Sequence, residues 1–123
     1  MFFLKKLKAV RGAVCCKNES EDIKKNIECL YTEILTKNKI SEKNIVSVQF
    51  TVTDDLTELN PATALRKSGF AKTIPLFCSA EPKIKTGLSK TIRILIYYYG
   101  RKNPIPVYLN GAEILRPDIY SVL

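Results

Sequence analysis

The sequence predicts an α+β fold: a mixed β-sheet with helices packed on one face, in a single domain over residues 1–123. Three observations predict it. The apolar period switches between two and 3.6 along the chain, giving the order β-α-β-α-β-β-β. A chain of 123 residues with 46% hydrophobic and 26% charged residues has the make-up of one folded core rather than a disordered tract. No internal repeat or low-complexity linker divides it.

Residues 7–15 suit a first strand, with Gly12 interrupting it. The opening MFFLKKLKAV has too short an apolar block for a signal core, and its lysines follow that block, so it is expected to be a basic lead-in to the strand. In NESEDIKKNIECLYTEILTKNK, Ile23, Ile27, Leu30, Ile34 and Leu35 form one apolar stripe of a helix, and Asn18 with Glu21 resembles a capping box. Lys37, Asn38 and Lys39 suit its end, where cations meet the dipole and Asn tolerates a left-handed turn. NIVSVQFTVT alternates as a half-buried strand, with Ile45, Ser47 and Gln49 opposing Val46, Val48, Phe50 and Val52. A short helix follows, capped by Asn60, opened by Pro61 and stopped by Gly69. KTIPLFC is a further strand that Pro75 confines to an edge or bulge, residues 88–99 form the longest strand, and IPVYL the last. Asn110-Gly111 fits either a hairpin turn or a bend within one terminal excursion.

Composition narrows the chemistry. Twenty Lys and Arg against 12 Asp and Glu give a charge of +8, so polyanions, acidic lipids and small anionic metabolites are all suitable partners on charge alone. The chain has no histidine, which removes the usual neutral-pH base, the Ser-His and Cys-His nucleophile pairs and the commonest metal ligand. Its four cysteines, Cys15, Cys16, Cys29 and Cys78, lack C-x-x-C spacing, so a structural zinc site is not expected. Nothing accompanies them that marks a secreted disulfide scaffold, and no apolar run reaches membrane-spanning length; a reducing, cytoplasmic compartment is expected.

Two features stand apart from the scaffold. Arg11 and Arg93 lie on otherwise apolar strands: Ile92, Ile94 and Ile96 alternate onto one face, so Arg93 projects from the other, where a guanidinium needs an anion. Glu81 is the single acid in FCSAEPKIKTG, whose other charges are positive. With Arg66 on the short helix and Tyr108 on the last strand, these can line a pocket for a substrate with more than one carboxylate. Each also has a structural explanation. Arg11 at an edge can salt-bridge outward, Arg93 can reach water from an open sheet face, and Glu81 can be a solvated loop carboxylate. Tyr108 can be core packing, and Cys78 an inert buried thiol.

VRGAV, PATALRKSGF, IPLFCSAEPKIKTGLSKTIR and VYLNGAEILRPD, in this order between about Val10 and Asp118, resemble the AroH-class chorismate mutases, the small monofunctional type. The resemblance implies rearrangement of chorismate to prephenate in aromatic amino acid biosynthesis, with no cofactor, metal or covalent intermediate. It implies a homotrimer in a pseudo-α/β-barrel arrangement with each site at a subunit boundary. It further implies that Arg93 faces the ether oxygen and a carboxylate, and that Arg11 clamps the side-chain carboxylate with Tyr108. Glu81 accepts from the ring hydroxyl and faces the positive allylic fragment, and Cys78 lies beside it. Arg66 stands at the pocket mouth and Leu115 forms an apolar wall. Glu81, Arg93 and Tyr108 then come from one chain, and Asn60, Thr63 and Arg66 from its neighbour.

Three positions depart from that pattern: Asn60 stands where an aromatic is usual, Thr63 where a lysine often lies, and Phe77 where a small hydroxyl residue commonly precedes the cysteine. The first two bear on the outer wall and affinity. Phe77 matters less if its position contacts substrate through the backbone. Two other readings compete. A non-catalytic basic module for nucleic acid fits the charge but lacks aromatic-basic interleaving, so no nucleic acid and no membrane partner is expected. An imine deaminase of the similarly folded trimeric family lacks support from the RGA and LRPD segments.

Overall fold

A computed structural model describes residues 4–120; the expectation for the first three residues lies outside them. The elements are β1 (Lys6–Cys15), α1 (Ser20–Asn38), β2 (Ile45–Val52), α2 (Pro61–Lys67), β3 (Leu76–Ala80), β4 (Thr91–Gly100) and β5 (Val107–Leu109), with short 3-10 turns at Glu42–Asn44 and Ala112–Leu115. Five strands form one sheet in the order β3-β2-β4-β1-β5. β4 pairs antiparallel with both β1 and β2, and the edges are parallel additions, β3 on β2 and β5 on β1. The mixed sheet expected from the sequence is therefore present, with β3 on the edge that Pro75 requires.

Both helices cover the same face. Ile23, Ile27, Leu30 and Ile34 of α1 and Ala64 and Leu65 of α2 pack on Val10, Val14, Val48, Phe50, Ile92, Ile94, Ile96 and Val107. Gly12 does not interrupt β1; it runs through as a paired residue opposite Ile94 and Val107. A Cβ there would lie 2.6 Å from the Val107 carbonyl oxygen and 3.0 Å from Ile34 Cδ1. Glycine thus lets β5 and α1 close on the strand.

Long-range contacts override local rules in three places. The capping box does not form. Asn18 Oδ1 accepts instead from the backbone N–H groups of Thr57 and Glu58 at 2.8 and 3.0 Å, while Asp22 accepts from Lys17 N–H at 2.7 Å. At the other end of α1 it is Lys39 that turns left-handed, with φ 52°. Asn38 ties the last loop down, donating to the Ile105 carbonyl at 2.9 Å and accepting from its N–H at 2.6 Å. In β2, a register shift between Ile45 and Ser47 inserts an extra residue against β4. That bulge reverses the start of the expected alternation, so Ile45 is buried and Val46 exposed. Asn110 and Gly111 both have positive φ and bend the chain into the Ala112–Leu115 turn, so the Asn-Gly pair makes a bend and not a hairpin.

Gly12→Ala is expected to lower stability by about 1–3 kcal/mol, because the new methyl meets backbone and two packed side chains. Urea unfolding followed by far-UV dichroism measures it, and an unchanged midpoint would show that β5 can move away freely.

Candidate active site

The face of the sheet away from the helices carries the candidate residues Arg93, Arg11 and Tyr108. Register places Ser79, Thr51, Arg93, Ala13 and Tyr108 in one row across all five strands. Phe77, Gln49, Leu95 and Arg11 form the next row, two residues along each strand. Arg11 is a diagonal neighbour of Arg93, about 7–8 Å away at the backbone. Residues separated by up to 95 positions meet because the strands pair in this register.

Arg93 Nε donates to Glu81 Oε1 at 2.6 Å, and Thr51 Oγ1 donates to the other carboxylate oxygen at 3.1 Å. The Glu81 backbone N–H is held by the Val52 carbonyl at 2.9 Å, which carries the β3 exit along the end of β2. Part of the Arg93 charge is therefore met within the chain, and both Glu81 oxygens are fixed. The Glu81 side chain is 16% exposed and that of Arg93 35%. A charged hydrogen bond this short, at an interior strand, orients both groups.

Above the pair lies a cleft of about 660 Å³ floored by Arg93 and Glu81, walled by the loop of residues 82–89 and by Leu115. Lys83 in that loop pairs with Asp54 at 3.5 Å across the cleft's outer edge. Lys90 N–H donates to both oxygens of Asp55 at 3.0 Å, anchoring the loop's far end.

Of the expected site residues, Arg93, Glu81 and Leu115 share this cleft. Arg11 stands exposed on the same face. Tyr108 is 3% exposed, packed with Ala13 and Ala112 and set edge-on to Tyr120 at 6.2 Å, whose hydroxyl accepts from the Tyr108 N–H. Its ring is core, as the packing reading has it, and its hydroxyl acts on the Arg116 guanidinium. Of the remaining residues, Phe77 shares the open face with Arg11 and the others lie elsewhere. Cys78 pairs with Phe50 and packs against the helix-side core, so in one chain it does not lie beside Glu81. Asn60 is occupied as the cap of α2, accepting from Ala62 N–H at 2.8 Å, and Thr63 is exposed on that helix. Arg66 donates to the carbonyls of Ala71, Lys72 and Ile74 and so braces the loop before β3. Phe77 is 65% exposed on the open face.

Two residues escape a reading of the sequence alone. Thr51 continues the polar side of the β2 alternation after Ser47 and Gln49, but only register sets it against Arg93. Arg116 grips Asp118 through two bonds of 3.0 and 2.8 Å. Asp118 and then the Tyr108 hydroxyl hold the Arg116 guanidinium above the ordinary arginine range. Burial raises the Cys78 thiol, which suits it to donate a hydrogen bond and not to attack as thiolate. No group of three or more His, Cys, Asp or Glu able to hold a metal occurs among the described residues. None of their helices is long and apolar enough to cross a membrane.

A half-open sheet with a fixed cation and a fixed anion side by side in one cleft suits a small, polar, multiply charged molecule. The family description "Chorismate mutase type I" matches residues 7–119, and this chain belongs to that family. Its relatives include the chorismate mutase AroH of Thermus thermophilus, 32% identical over 120 residues that cover 94% of this chain and 98% of that protein. The AroH of Bacillus subtilis is 27% identical over 120 residues, covering 92% of each. The solved chorismate mutase from Clostridium thermocellum superposes with a TM-score of 0.81 at 34% identity, over 86% of this chain and 97% of that one. Family membership favours the rearrangement over the nucleic-acid and deaminase readings.

The thiols should alkylate in an order set by burial. Cys29 is exposed and should react first with iodoacetamide at neutral pH, Cys78 more slowly, and Cys16, pushed up to about 11 chiefly by burial, last. Peptide mass spectrometry of timed samples reads the order; early labelling of Cys16 would contradict the helix-side packing.

Proposed function

We propose that the cleft rearranges chorismate to prephenate by a concerted [3,3] shift, with Arg93 and Glu81 as its catalytic pair. The observation that carries this reading is the 2.6 Å contact between Arg93 Nε and Glu81 Oε1 in a shared cleft. In the rearrangement one C–O bond breaks while one C–C bond forms, and no proton or electron leaves the substrate. The enzyme's part is to hold the compact conformer and to stabilise separating charge. With Nε occupied by Glu81, the two Nη groups of Arg93 are the donors left for the ether oxygen, where negative charge grows. Glu81 lies on the side where the allylic fragment turns positive. Thr51 keeps its carboxylate in that orientation. A histidine-free chain suits such a step, since no base is needed.

Arg11 supplies a second cation for the substrate's side-chain carboxylate from the neighbouring row. The Tyr108 hydroxyl serves the same end, and Leu115 closes the wall. The remaining residues, Cys78, Asn60, Thr63, Arg66 and Phe77, reach a cleft only from a second copy, because they lie on the β3 edge and α2. A homotrimer with shared sites accommodates this, and it covers the open sheet face on which Leu95 and Tyr97 are half-buried and Phe77 projects. Biosynthesis of aromatic amino acids in the cytoplasm is the setting this reading implies.

Loss of chorismate absorbance by the purified protein tests the reaction. Arg93→Ala should lower kcat on the order of a hundred- to a thousandfold, the usual effect of removing a donor aimed at developing charge, and Glu81→Ala should fall at least as far. Wild-type turnover in Arg93→Ala would remove the arginine from its role, and an inactive parent would remove the reaction. Thr51→Val is expected to reduce kcat about tenfold with KM little changed, and Thr51→Ser to recover most of it. Equal loss in Ser and Val would make Thr51 a packing residue only. Sedimentation equilibrium at micromolar concentration should give the mass of three chains, and a monomer would overturn the shared site.

A further inference from the structure

The core holds the middle of β4, and a separate set of hydrogen bonds holds its beginning. The strand starts two residues before Arg93 at Thr91, which lies on the same face as the arginine and is 1% exposed. Thr91 Oγ1 donates to the Ser89 carbonyl at 2.8 Å and stands 3.6 Å from Cys15 Sγ. Its N–H donates to Thr53 Oγ1 at 3.0 Å, and its carbonyl accepts from the Thr53 N–H at 3.2 Å. The Thr53 hydroxyl donates in turn to Asp55 Oδ1, with the Thr91 carbonyl 3.4 Å away as a longer alternative. Both Asp55 oxygens accept from the Lys90 N–H, whose residue has φ 47°, a left-handed conformation that a lysine holds only under such restraint. From the β1 side, the Cys16 N–H donates to the Lys90 carbonyl at 3.0 Å.

Thr53 and Asp55 both line the Arg93 cleft, yet their polar atoms are turned to the turn at residues 89–91. A carboxylate facing an anionic substrate would repel it, and this one faces a peptide N–H. We propose that Thr53 and Asp55 are positioning residues: they set the aim of Arg93 by fixing the turn from which β4 starts. The consequence for rate rests on the chorismate reading of the cleft, whereas the aim itself is a property of the fold. Thr91 and Arg93 are about 7 Å apart along the strand, so a rotation or slip of the turn reaches the guanidinium. A misplacement of about 1 Å at a reacting group costs on the order of a hundredfold in rate. The two members of the catalytic pair are then held by parallel devices on β2 and its exit, Thr51 for the Glu81 carboxylate and Thr53 with Asp55 for the strand of Arg93.

Chorismate kinetics on the full chain test it, with Tm measured beside them to read stability separately. Thr53→Val keeps the shape and removes the hydroxyl; kcat should fall about tenfold with KM within about twofold, and Thr53→Ser should restore it. Asp55→Asn sets an amide donor where Oδ2 meets the Lys90 N–H, so kcat should fall there too, whereas a carboxylate acting on substrate only by its charge would on removal lower KM and leave kcat. In the Arg93→Ala background, Thr53→Val should cost less than about twofold further, because its effect passes through the arginine. Nitrogen-15 NMR of the Arg93 Nε–H, assigned by its loss in Arg93→Ala, reads the aim without turnover. That resonance should move in Thr53→Val and Asp55→Asn and return in Thr53→Ser. An inactive parent with a moved resonance would remove the chorismate reading and retain the positioning role. Unchanged kcat in Thr53→Val, equal loss in Val and Ser, full multiplication of the losses with Arg93→Ala, or an unmoved resonance would each overturn the proposal.

Discussion

The ion pair between Arg93 and Glu81 is the constraint around which the rest of the molecule is arranged. A guanidinium on an interior strand must have an acceptor, since removing it from water without one costs several kcal/mol. The fold supplies that acceptor from the exit of the edge strand two positions across the sheet, held by Thr51 and by a backbone bond to Val52. Such a pair adds little to stability, because desolvation offsets most of the attraction. On the proposed reading its value lies in direction: a bound substrate would meet one positive and one negative group that need no reorganisation as its own charge separates.

The helix-covered face provides the rigidity that this geometry needs. Every isoleucine of β4 that alternates with Arg93 is buried against α1 and α2, so the arginine's backbone cannot shift without disturbing the main core. Gly12 allows α1 and β5 to sit tightly behind the row that carries the site. The open face is the reverse case, with half-buried side chains and an exposed Phe77. A domain of this size leaves such a face wet unless copies of itself cover it. The separation of Cys78, α2 and the Arg66 brace from the Arg93 cleft follows from the same two-sidedness, since alternate residues of β3 serve opposite faces.

The positive charge of the chain is likewise divided by architecture. Near Glu81 it is balanced, with Asp54, Asp55 and Glu81 facing Lys83, Lys85 and Arg93. At the far end of β4, Lys5, Lys39, Arg101 and Lys102 gather around a second cleft. A net charge of +8 therefore describes neither region.

Local patterning by itself determined most of the elements. The α1 stripe, the Asn60-Pro61 start of α2 and the edge position of β3 follow from side-chain periodicity, cap chemistry and the missing proline N–H, all of which act over a few residues. The placement of Arg93 opposite its isoleucines was equally legible, as was the isolation of Glu81 among positive charges. Tertiary structure alone decided what those residues meet. The bulge at Val46 reversed the start of β2, the loop at Thr57 and Glu58 took Asn18 away from its expected cap, and strand register brought Thr51 to Glu81 while turning Cys78 to the other face. Pairing partners lie tens of residues apart, and a one-residue slip exchanges the faces of a strand, so this information resides in the assembled sheet and not in any local stretch of chain.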